Sequence, residues 1–529
     1  MTAPVGCRER LARARGVLNQ ILLVMLINVP TVSFGLALGW VSLASGEAGV
    51  DGVEGGEEAS RGAVVAAVTT FVATLAGVPL SARALAAGRK LAIIATSGAF
   101  VVCWSLKLLS PWAGAWCIVC ARIAAGLGGA SAWALVPILA REMCGAAWRG
   151  AAVAALTLAH NMGVLIMYLA ADARIPQRQV LWCCLGLSVL HCIMFFFMPE
   201  SPSFLAAKGK TKEARLSLAW LRGLAPEDPA LNHEMETLPQ PELHEVTPFK
   251  LTKEMLSDRR RRRAFIIGGI AVVGQEACGV LAILQYAERV FVLARDEHGL
   301  EHVPAVEDAS AQFTSPARHA VLLGAMQLAA SAVALYLVER VGRRPLIVWS
   351  AFGTGLSLAA ATYLVWGGAG GMGGVGGAAI ALAVAVAADS AGLQSAPYSL
   401  LADMFDYQYR GCALMLISAM GCAGNAVEVA VFPVVAAYGG LVSALGLAAG
   451  LTLAYAVFAA IAIPETKNRT PEEIYNVIYP KKKDVEDPED VEKAKDLEKI
   501  ESEKVTVNNT KEVTKDIHVN SEETRCTTL

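Results

Sequence analysis

The chain has 529 residues, of which 55% are hydrophobic and only 17% are charged, and its mean hydropathy is +0.48. A soluble domain usually carries about 25% charged residues, so the composition indicates a protein of the lipid bilayer rather than a soluble enzyme. Lysine and arginine (45) nearly balance aspartate and glutamate (47), so the net charge gives no indication of a nucleic-acid partner.

The first 16 residues contain four arginines and no short apolar core followed by a cleavage site, which argues against a cleavable signal peptide. A membrane-spanning helix needs about 20 mostly apolar residues, and the sequence predicts twelve such spans. They lie at 17–43, 63–85, 90–109, 114–140, 150–172, 179–198, 264–291, 319–338, 345–366, 376–402, 411–437 and 440–463.

The placement of charge between the spans predicts their orientation. Stretch 45–62 has five acids and one arginine, whereas basic residues gather on the other side. The basic set is Arg8, Arg10, Arg13, Arg15, Arg89, Lys90, Arg141, Arg149, Arg259 to Arg263, Arg340, Arg343, Arg344 and Arg410. By the positive-inside rule we expect a multi-pass protein of the plasma membrane with both termini in the cytoplasm.

Three short motifs occur twice at nearly constant separation. Gly-Arg-Lys and Gly-Arg-Arg begin at Gly88 and Gly342, the Arg-Gly pairs end at Gly150 and Gly411, and Pro-Glu-Ser-Pro and Pro-Glu-Thr-Lys begin at Pro199 and Pro464. Each pair lies at the cytoplasmic end of the matching span in a set of six. The prediction is therefore an all-α membrane protein with twelve transmembrane helices in two parallel six-helix halves, the major facilitator fold.

This organisation divides the chain into five segments: a cytoplasmic N-terminus (1–16), an N-terminal half (17–198), a cytoplasmic linker with short helices (199–263), a C-terminal half (264–463) and a tail (464–529). Stretch 211–223 predicts an amphipathic helix with Ala214, Leu218 and Leu221 on one face. The tail beyond 480 is charged and free of aromatic residues from 481 onward, so we expect it to be mostly disordered. Its final Thr-Thr-Leu predicts a possible PDZ partner.

The paired glutamates Glu200 and Glu465 follow the sixth and twelfth spans, close to the arginines of the repeated motifs. A carboxylate at this place can clamp guanidinium groups of neighbouring helices in bidentate pairs. If the pairs form only when the cytoplasmic side is shut, they act as a conformational latch. The alternative is a static belt of salt bridges.

Several motifs resemble those of the sugar porter family of the major facilitator superfamily, over roughly residues 17 to 475. They are PESPSFL, VERVGRRP with Glu339 in the acidic position, PETKNRTPEEI, and ARIAAGLGGAS with Arg122; LALGWVS is similar to insect facilitated trehalose transporters. The resemblance implies a cytoplasmic gate. Its residues would be Arg89, Glu142, Arg149, Glu200, Glu339, Arg343, Asp403, Arg410 and Glu465.

The same resemblance implies which positions line the solute cavity. Compared with the family pattern, Gln275 and Tyr286 are kept, while Glu276 and Tyr398 replace a glutamine and a tryptophan. Three amide side chains are lost or shortened. The predicted substrate-binding residues are Gln275, Glu276, Tyr286, Tyr398, Asn425 and Thr157.

Acidic residues within apolar spans are costly and are functional-site hypotheses by default. Glu276, Asp389 and Glu428 are of this kind. For Glu276 we favour a role in the cavity, either toward a sugar hydroxyl or toward a cation, amine or proton. For Asp389 and Glu428 we favour pairing with a polar neighbour, and we expect His160 and Asn161 to be packed side chains.

The first span has no carboxylate, whereas proton symporters of the family carry an aspartate there. The resemblance therefore favours facilitated diffusion of a sugar, a hexose or a trehalose-like solute, by alternating access. Two alternatives stay open: a transporter-like sensor or scaffold, and a carrier of a cationic or amine solute that uses Glu276. No stretch assembles a nucleophile, a base and an oxyanion site, so we expect no enzyme. Most of the twelve cysteines lie in apolar runs, and we expect no metal and no cofactor.

Overall fold

The computed structural model describes residues 5–48, 56–114, 116–145, 148–239, 248–285, 316–367, 372–467 and 469–479, and all regular structure in these ranges is helical. The first half contains α1 (Val5–Ala48), α2 (Gly56–Ala87), α3 (Arg89–Ala113), α4 (Trp116–Met143), α5 (Arg149–Asp172) and α6 (Gln177–Phe196). The linker contains α7 (Pro202–Ala207), α8 (Thr211–Arg222), α9 (Ala230–Glu236) and α10 (Pro248–Ser257). The second half contains α11 (Arg259–Glu276), α12 (Val280–Gln285), α13 (Pro316–Val341), α14 (Arg343–Trp366), α15 (Met372–Ala388), a π-helical turn (Asp389–Leu393), α16 (Ala396–Met404) and α17 (Tyr407–Ala462), followed by α18 (Pro471–Ile478).

Helix length and composition fit a membrane protein. Within the described ranges, ten helical segments are long and apolar enough to cross a bilayer. One of them, α17, is 56 residues long and is non-helical at Gly440, where φ is 74°. At a rise of about 1.5 Å per residue, a helix of this length exceeds twice the thickness of the hydrocarbon core. In α2 the apolar run that the structure describes, Val68–Gly77, is shorter. The all-helical membrane fold is confirmed, and the number twelve stays a prediction.

Two of the predicted spans are interrupted. The seventh contains α11 and α12, which are separated by a turn at Gly279 with φ of 80°. The tenth contains α15 and α16, which are joined by the π-helical turn that begins at Asp389. Interrupted helices are tolerated in membranes where the freed backbone faces protein or a cavity, and π turns are frequent at functional sites.

Glycine allows the closest helix contact in the first half. α1 packs along α5, and Gly35 and Gly163 face each other across this contact. A Cβ atom on either glycine would collide with the backbone oxygen of His160 or Val32. Small residues at such crossings let membrane helices pack backbone against backbone. The two halves meet where α5 packs on α13 and where α2 packs on α17.

The predicted amphipathic helix is α8. Its face of Ala214, Leu218 and Leu221 is buried. α8 lies against the start of α1, where the amide groups of Asn19 and Gln20 donate to the carbonyls of Trp220 and Leu221 at 2.6 and 2.9 Å. The linker is therefore attached to the first helix of the bundle.

Some sequence predictions fall outside the described residues. Tyr286, the tail from 480 onward and its terminal Thr-Thr-Leu are among them, and the side chain of Glu339 in α13 is also not described. The division of the chain into five segments stays a prediction.

Candidate functional site

The repeated motifs meet at one end of the bundle, which we call the charged end and define by Arg89, Glu142, Glu200, Arg343 and Glu465. The carboxylate of Glu200 lies at the N-terminus of α3, where it accepts the backbone N–H groups of Arg89 and Lys90, each at 3.1 Å. The first N–H groups of a helix have no partner within the helix, and the helix dipole favours an anion there.

Glu465 repeats this arrangement in the second half. It accepts the backbone N–H groups of Arg343 and Arg344 at 3.1 and 3.2 Å, at the start of α14. The residue before each helix is glycine. A Cβ atom on Gly342 would lie 2.6 Å from a Glu465 carboxylate oxygen, and one on Gly88 would lie 2.9 Å from Glu200 Oε2. The Gly-Arg and Pro-Glu motifs therefore form one unit, a carboxylate seated on a helix start.

This geometry corrects one expectation. From the sequence we expected Glu200 and Glu465 to clamp guanidinium groups of neighbouring helices. The structure gives both carboxylates backbone N–H partners instead, and each glutamate directly follows the last span of the half whose helix it caps. Their contacts tie spans together within a half.

A bidentate ion pair stands beside the first of these units. Arg89 donates from Nε and Nη2 to the two carboxylate oxygens of Glu142, both at 2.9 Å, and the Ser201 hydroxyl donates to the same carboxylate at 2.7 Å. The guanidinium lies 4.7 Å above the ring of Phe204 and also donates to the Tyr407 hydroxyl at 3.3 Å. Because Tyr407 begins α17, this last contact joins the two halves.

Asp403 forms the second contact between the halves at the charged end. Its carboxylate pairs with Arg141 of α4 and lies 3.4 Å from Nε of Arg343. Arg149 and Arg410 occupy equivalent places, each donating from Nε to the carbonyl five residues earlier. Burial, together with the neighbouring guanidinium groups of Arg141 and Arg222, lowers the pKa of Arg149.

A cavity of about 80 Å³ lies between the two halves. Helices of both halves contribute to its wall. The polar and aromatic side chains that line it are Phe34, Trp133, His160, Tyr168, Gln275, Glu276, Gln327, Asp389, Gln394, Tyr398, Asn425 and Glu428. Among the predicted substrate-binding residues, the structure brings together Gln275, Glu276, Tyr398 and Asn425.

Aromatic rings form a continuous wall across the two halves. Tyr398 of α16 packs on Trp133 of α4 with ring centroids 4.9 Å apart, Trp133 packs edge-on against His160 at 5.7 Å, and His160 contacts Phe34 at 5.6 Å. Three of these four rings come from the first half. Such a wall offers apolar ring faces to a ligand.

Polar groups stand beside this wall. The Glu276 carboxylate accepts the Tyr398 hydroxyl and the Gln275 amide, each at 3.4 Å, and Asn425 bonds to the same carboxylate. The amide of Gln394, which lines the cavity, bonds to the amide of Asn161 at 2.9 and 3.4 Å. The second pair links α5 of the first half to the tenth span of the second.

The other two buried acids have different surroundings. Glu428 accepts the backbone N–H of Ala282 at 2.9 Å, so it caps the short helix α12 much as Glu200 caps α3. Asp389, at the π-helical turn, accepts the thiol of Cys278 at 3.7 Å. Both have polar neighbours, as we expected for them, and both also line the cavity.

Several cavity-lining polar atoms have no hydrogen-bond partner among the described residues. They are His160 Nδ1, Gln275 Oε1, Gln327 Oε1, Asn425 Oδ1 and Glu428 Oε2. Buried polar groups are nearly always satisfied in folded proteins, so these atoms mark unused hydrogen-bonding capacity that faces a common space.

The sequence predictions of the site were incomplete in three respects. Thr157 does not reach the cavity, because it is fully buried and its hydroxyl donates to the carbonyl of Ala154 at 2.9 Å. Trp133 and Gln394 line the cavity but were not predicted; the available signal for Gln394 was a polar side chain within an apolar span, and Trp133 had no such signal. Arg141 was missed because its repeat partner is an alanine.

A comparison with protein-family models identifies the chain. Residues 47–478 match the model described as "Sugar (and other) transporter". The chain belongs to this family. It is thus a multi-pass membrane transporter of the sugar porter type, and a fold of this kind is that of transporters rather than enzymes.

Relatives and solved structures agree with this assignment. This chain is 27% identical over 366 residues to "Solute carrier family 2, facilitated glucose transporter member 2" of Gallus gallus, and the match covers 68% of this chain and 64% of that protein. It is 22% identical over 391 residues to "Facilitated trehalose transporter Tret1" of Culex quinquefasciatus, covering 73% and 71%. A structure of the proton:xylose symporter XylE has a TM-score of 0.67 at 18% identity, covering 87% of this chain and 99% of that one. At this identity the likeness shows the fold.

Proposed function

We propose that the protein moves a sugar, a hexose or a trehalose-like solute, by facilitated diffusion through alternating access. The observation that carries the proposal is the central cavity, in which an aromatic wall faces several unpartnered hydrogen-bonding atoms. A sugar presents apolar C–H faces to aromatic rings and hydroxyls that both donate and accept. Glu276, Tyr398 and Asn425 meet the hydroxyls in this proposal, and Trp133 meets the ring.

The size of the cavity supports a conformational cycle. Its volume of about 80 Å³ holds a few water molecules, whereas small-molecule pockets usually measure about 300–1,000 Å³. A sugar enters only when the halves separate at one end. Each end has an ion pair between the halves: Arg141 with Asp403 at the charged end, and Arg318 with Asp172 at the other, the latter at 4.0 Å. Alternate breaking of these pairs would open one side at a time.

The distribution of charge supports the orientation and the mode of transport. We place the charged end and both termini in the cytoplasm of a cell whose plasma membrane contains the protein, because arginines concentrate on that side. The bilayer segment Ala14–Trp40 contains no carboxylate. The membrane-spanning part of α1 therefore lacks a carboxylate that could accept a proton, which favours uncoupled movement.

Uptake into proteoliposomes of the purified full chain tests the proposal. D-Glucose and trehalose are labelled separately, with and without an ionophore that dissipates the proton gradient. We expect saturable uptake of at least one sugar, unchanged by the ionophore. Saturable uptake that stops when the gradient collapses would replace facilitated diffusion with proton coupling, and no uptake of either sugar by folded protein would remove both substrates.

A second candidate function rests on the acids of the cavity. Glu276, Asp389 and Glu428 all line it, and its wall contains no lysine or arginine among the described residues. A cavity with this charge balance would suit a cationic or amine solute. The variant Glu276→Gln separates the candidates: for a sugar carrier it preserves or improves uptake, because the amide still donates and accepts, and for an amine carrier it lowers uptake strongly.

A further inference from the structure

A second polar cluster lies in the first half, away from the central cavity, and the proposed function does not use it. Its members are Trp40 of α1, Trp104 and Lys107 of α3, and Arg122 of α4. All four are less than 8% exposed. Lys107 lies 18 residues after the start of α3 at the charged end, which is about 27 Å along a helix, so the cluster lies near the opposite end of the bundle.

The two cations share one indole ring. Lys107 Nζ lies 4.3 Å from the centre of the Trp40 ring and 4.4 Å from that of Trp104, and Arg122 Cζ lies 5.1 Å from the centre of the Trp40 ring. Arg122 also donates to the carbonyl of Ala37 at 3.4 Å. Cation–π contacts of this kind recover part of the cost of burying a charge.

The remaining hydrogen-bonding capacity of the cluster consists of donors alone. Lys107 Nζ, Arg122 Nε and Trp104 Nε1 are buried and have no hydrogen-bond partner among the described residues, and none of these residues has a salt bridge there. Two like charges buried without a counter-charge are costly in a membrane protein, and intramembrane cations usually pair with an acid or mark an ion site. Lys107 and Arg122 lie against the same indole ring, and Lys107 also lies against Trp104, so the three unpartnered donors belong to one cluster that an acceptor with negative charge would complement.

We propose that this cluster binds a monovalent anion, held by Lys107, Arg122 and the indole N–H of Trp104. The chemistry fits a halide or a single carboxylate: the unpartnered donors number three, all are buried, and two of them are charged. The anion would offset one of the two buried positive charges and stabilise the contact of α1, α3 and α4, the helices that carry the cluster. The site is distinct from the solute cavity, and binding there does not depend on the proposed sugar substrate.

Chloride is the probe for the first experiment. Thermal unfolding of the full chain is followed by tryptophan fluorescence as chloride replaces sulfate, a divalent anion without a carboxylate, at constant ionic strength. A ligand that binds only the folded state raises the melting temperature in a saturable manner. We expect this rise in the wild type. The apparent chloride affinity should fall at least tenfold in Lys107→Met, and most of that affinity should remain in Lys107→Arg, which keeps a charged donor.

A matched control and a second source of the anion complete the design. Lys90→Met removes another lysine that lies over an aromatic ring, Phe196 at 5.0 Å, and should keep the chloride response. Removing a buried charge in favour of an apolar side chain is often neutral or stabilising, so Lys107→Met should fold.

A carboxylate of stretch 45–62 is the other source of the anion, and a variant with the five acids of that stretch neutralised tests it.

The outcomes decide the proposal. A chloride response in the wild type that Lys107→Met removes supports a free anion. A response that appears only after the five acids are neutralised assigns the anion to that stretch. A response of equal size in Lys107→Met, or no response in either the wild type or the neutralised variant, overturns the site.

Discussion

The two halves agree closely at the charged end and differ in the central cavity. At the charged end, Glu200 and Glu465 each cap the helix that follows a glycine, and Arg149 and Arg410 each donate to the carbonyl five residues earlier. In the cavity, the first half supplies most of the aromatic wall and the second half supplies the carboxylates. The two halves have equivalent residues at the charged end, where both must close in the same way. They have different residues in the cavity, where a solute without twofold symmetry must be recognised.

The agreement at the charged end also has one break, and it forms one of the contacts between the halves. Arg141 pairs with Asp403 across the interface, but the residue that repeats Arg141 in the second half is Ala402. The second half therefore contributes the acceptor and the first half contributes the extra donor. This asymmetric pair joins the two halves at the charged end, beside the hydrogen bond from Arg89 to Tyr407.

Asp403→Asn should give the largest effect, because it removes the charge that faces both Arg141 and Arg343. Loss of one partner from a buried ion pair costs about 3–5 kcal/mol. Here it would destabilise the state in which the charged end is closed. We expect faster hydrogen exchange in peptides 141–150 and 396–410. Glu142→Gln is the control within one half, and it should loosen the contact of α3 and α4 without this increase. An equal increase in both variants would contradict the asymmetry.

Gly342→Ala should come next. Its φ of 104° is strained for alanine, which costs about 1–3 kcal/mol, and the new Cβ would lie 2.6 Å from the carboxylate of Glu465. In Gly88→Ala the new Cβ would lie 2.9 Å from Glu200 Oε2, which is a less severe contact. We expect both variants to melt earlier than the wild type, with the larger fall for Gly342→Ala in thermal unfolding. The reverse order would mean that the carboxylate caps are not equivalent units.

Trp133→Ala tests the central cavity, where the two halves differ. Removal of its contacts with Tyr398 and His160 should raise KM for the transported sugar about tenfold, which corresponds to about 1.4 kcal/mol. Tyr398→Phe removes only the hydroxyl that bonds to Glu276, so a smaller rise is expected. Initial uptake rates over a range of sugar concentration measure both. An unchanged KM in Trp133→Ala would exclude the aromatic wall from solute binding.

Thr157→Val should give the smallest effect. Its hydroxyl donates within its own helix, to Ala154, and it does not line the cavity. A valine of similar shape keeps the packing, so KM should stay within about twofold of the wild type, since loss of one hydrogen bond within a helix costs little. A large rise in KM would restore Thr157 to the site that the family resemblance assigned to it.

The membrane fold could be predicted because lipid imposes a simple requirement on every span. Apolar runs of about 20 residues and the placement of arginines are visible in any sequence of this class. The partner of Glu200 could not be predicted in the same way. Its carboxylate meets backbone N–H groups more than a hundred residues away, and a backbone group leaves no mark in the sequence.

The cavity was predicted in part, for a related physical reason. Glu276 and Asn425 are polar residues in apolar spans, so their cost in lipid identified them. Trp133 is apolar over most of its surface and does not differ, in sequence, from a side chain that faces lipid. Asn161 was taken as a packed residue, and its bond to Gln394 depends on how the two halves meet. Residues of this kind become visible only when the halves are placed together.

Hydrogen exchange of the wild type, with and without a saturating concentration of the sugar that gives uptake, tests the central claim most directly. If a solute in the unsymmetrical cavity controls the repeated charged end, exchange should change both in the cavity peptides around Trp133 and Tyr398 and in peptides 141–150 and 403–411. A change confined to the cavity, with the charged end unaffected, would contradict alternating access governed by these residues.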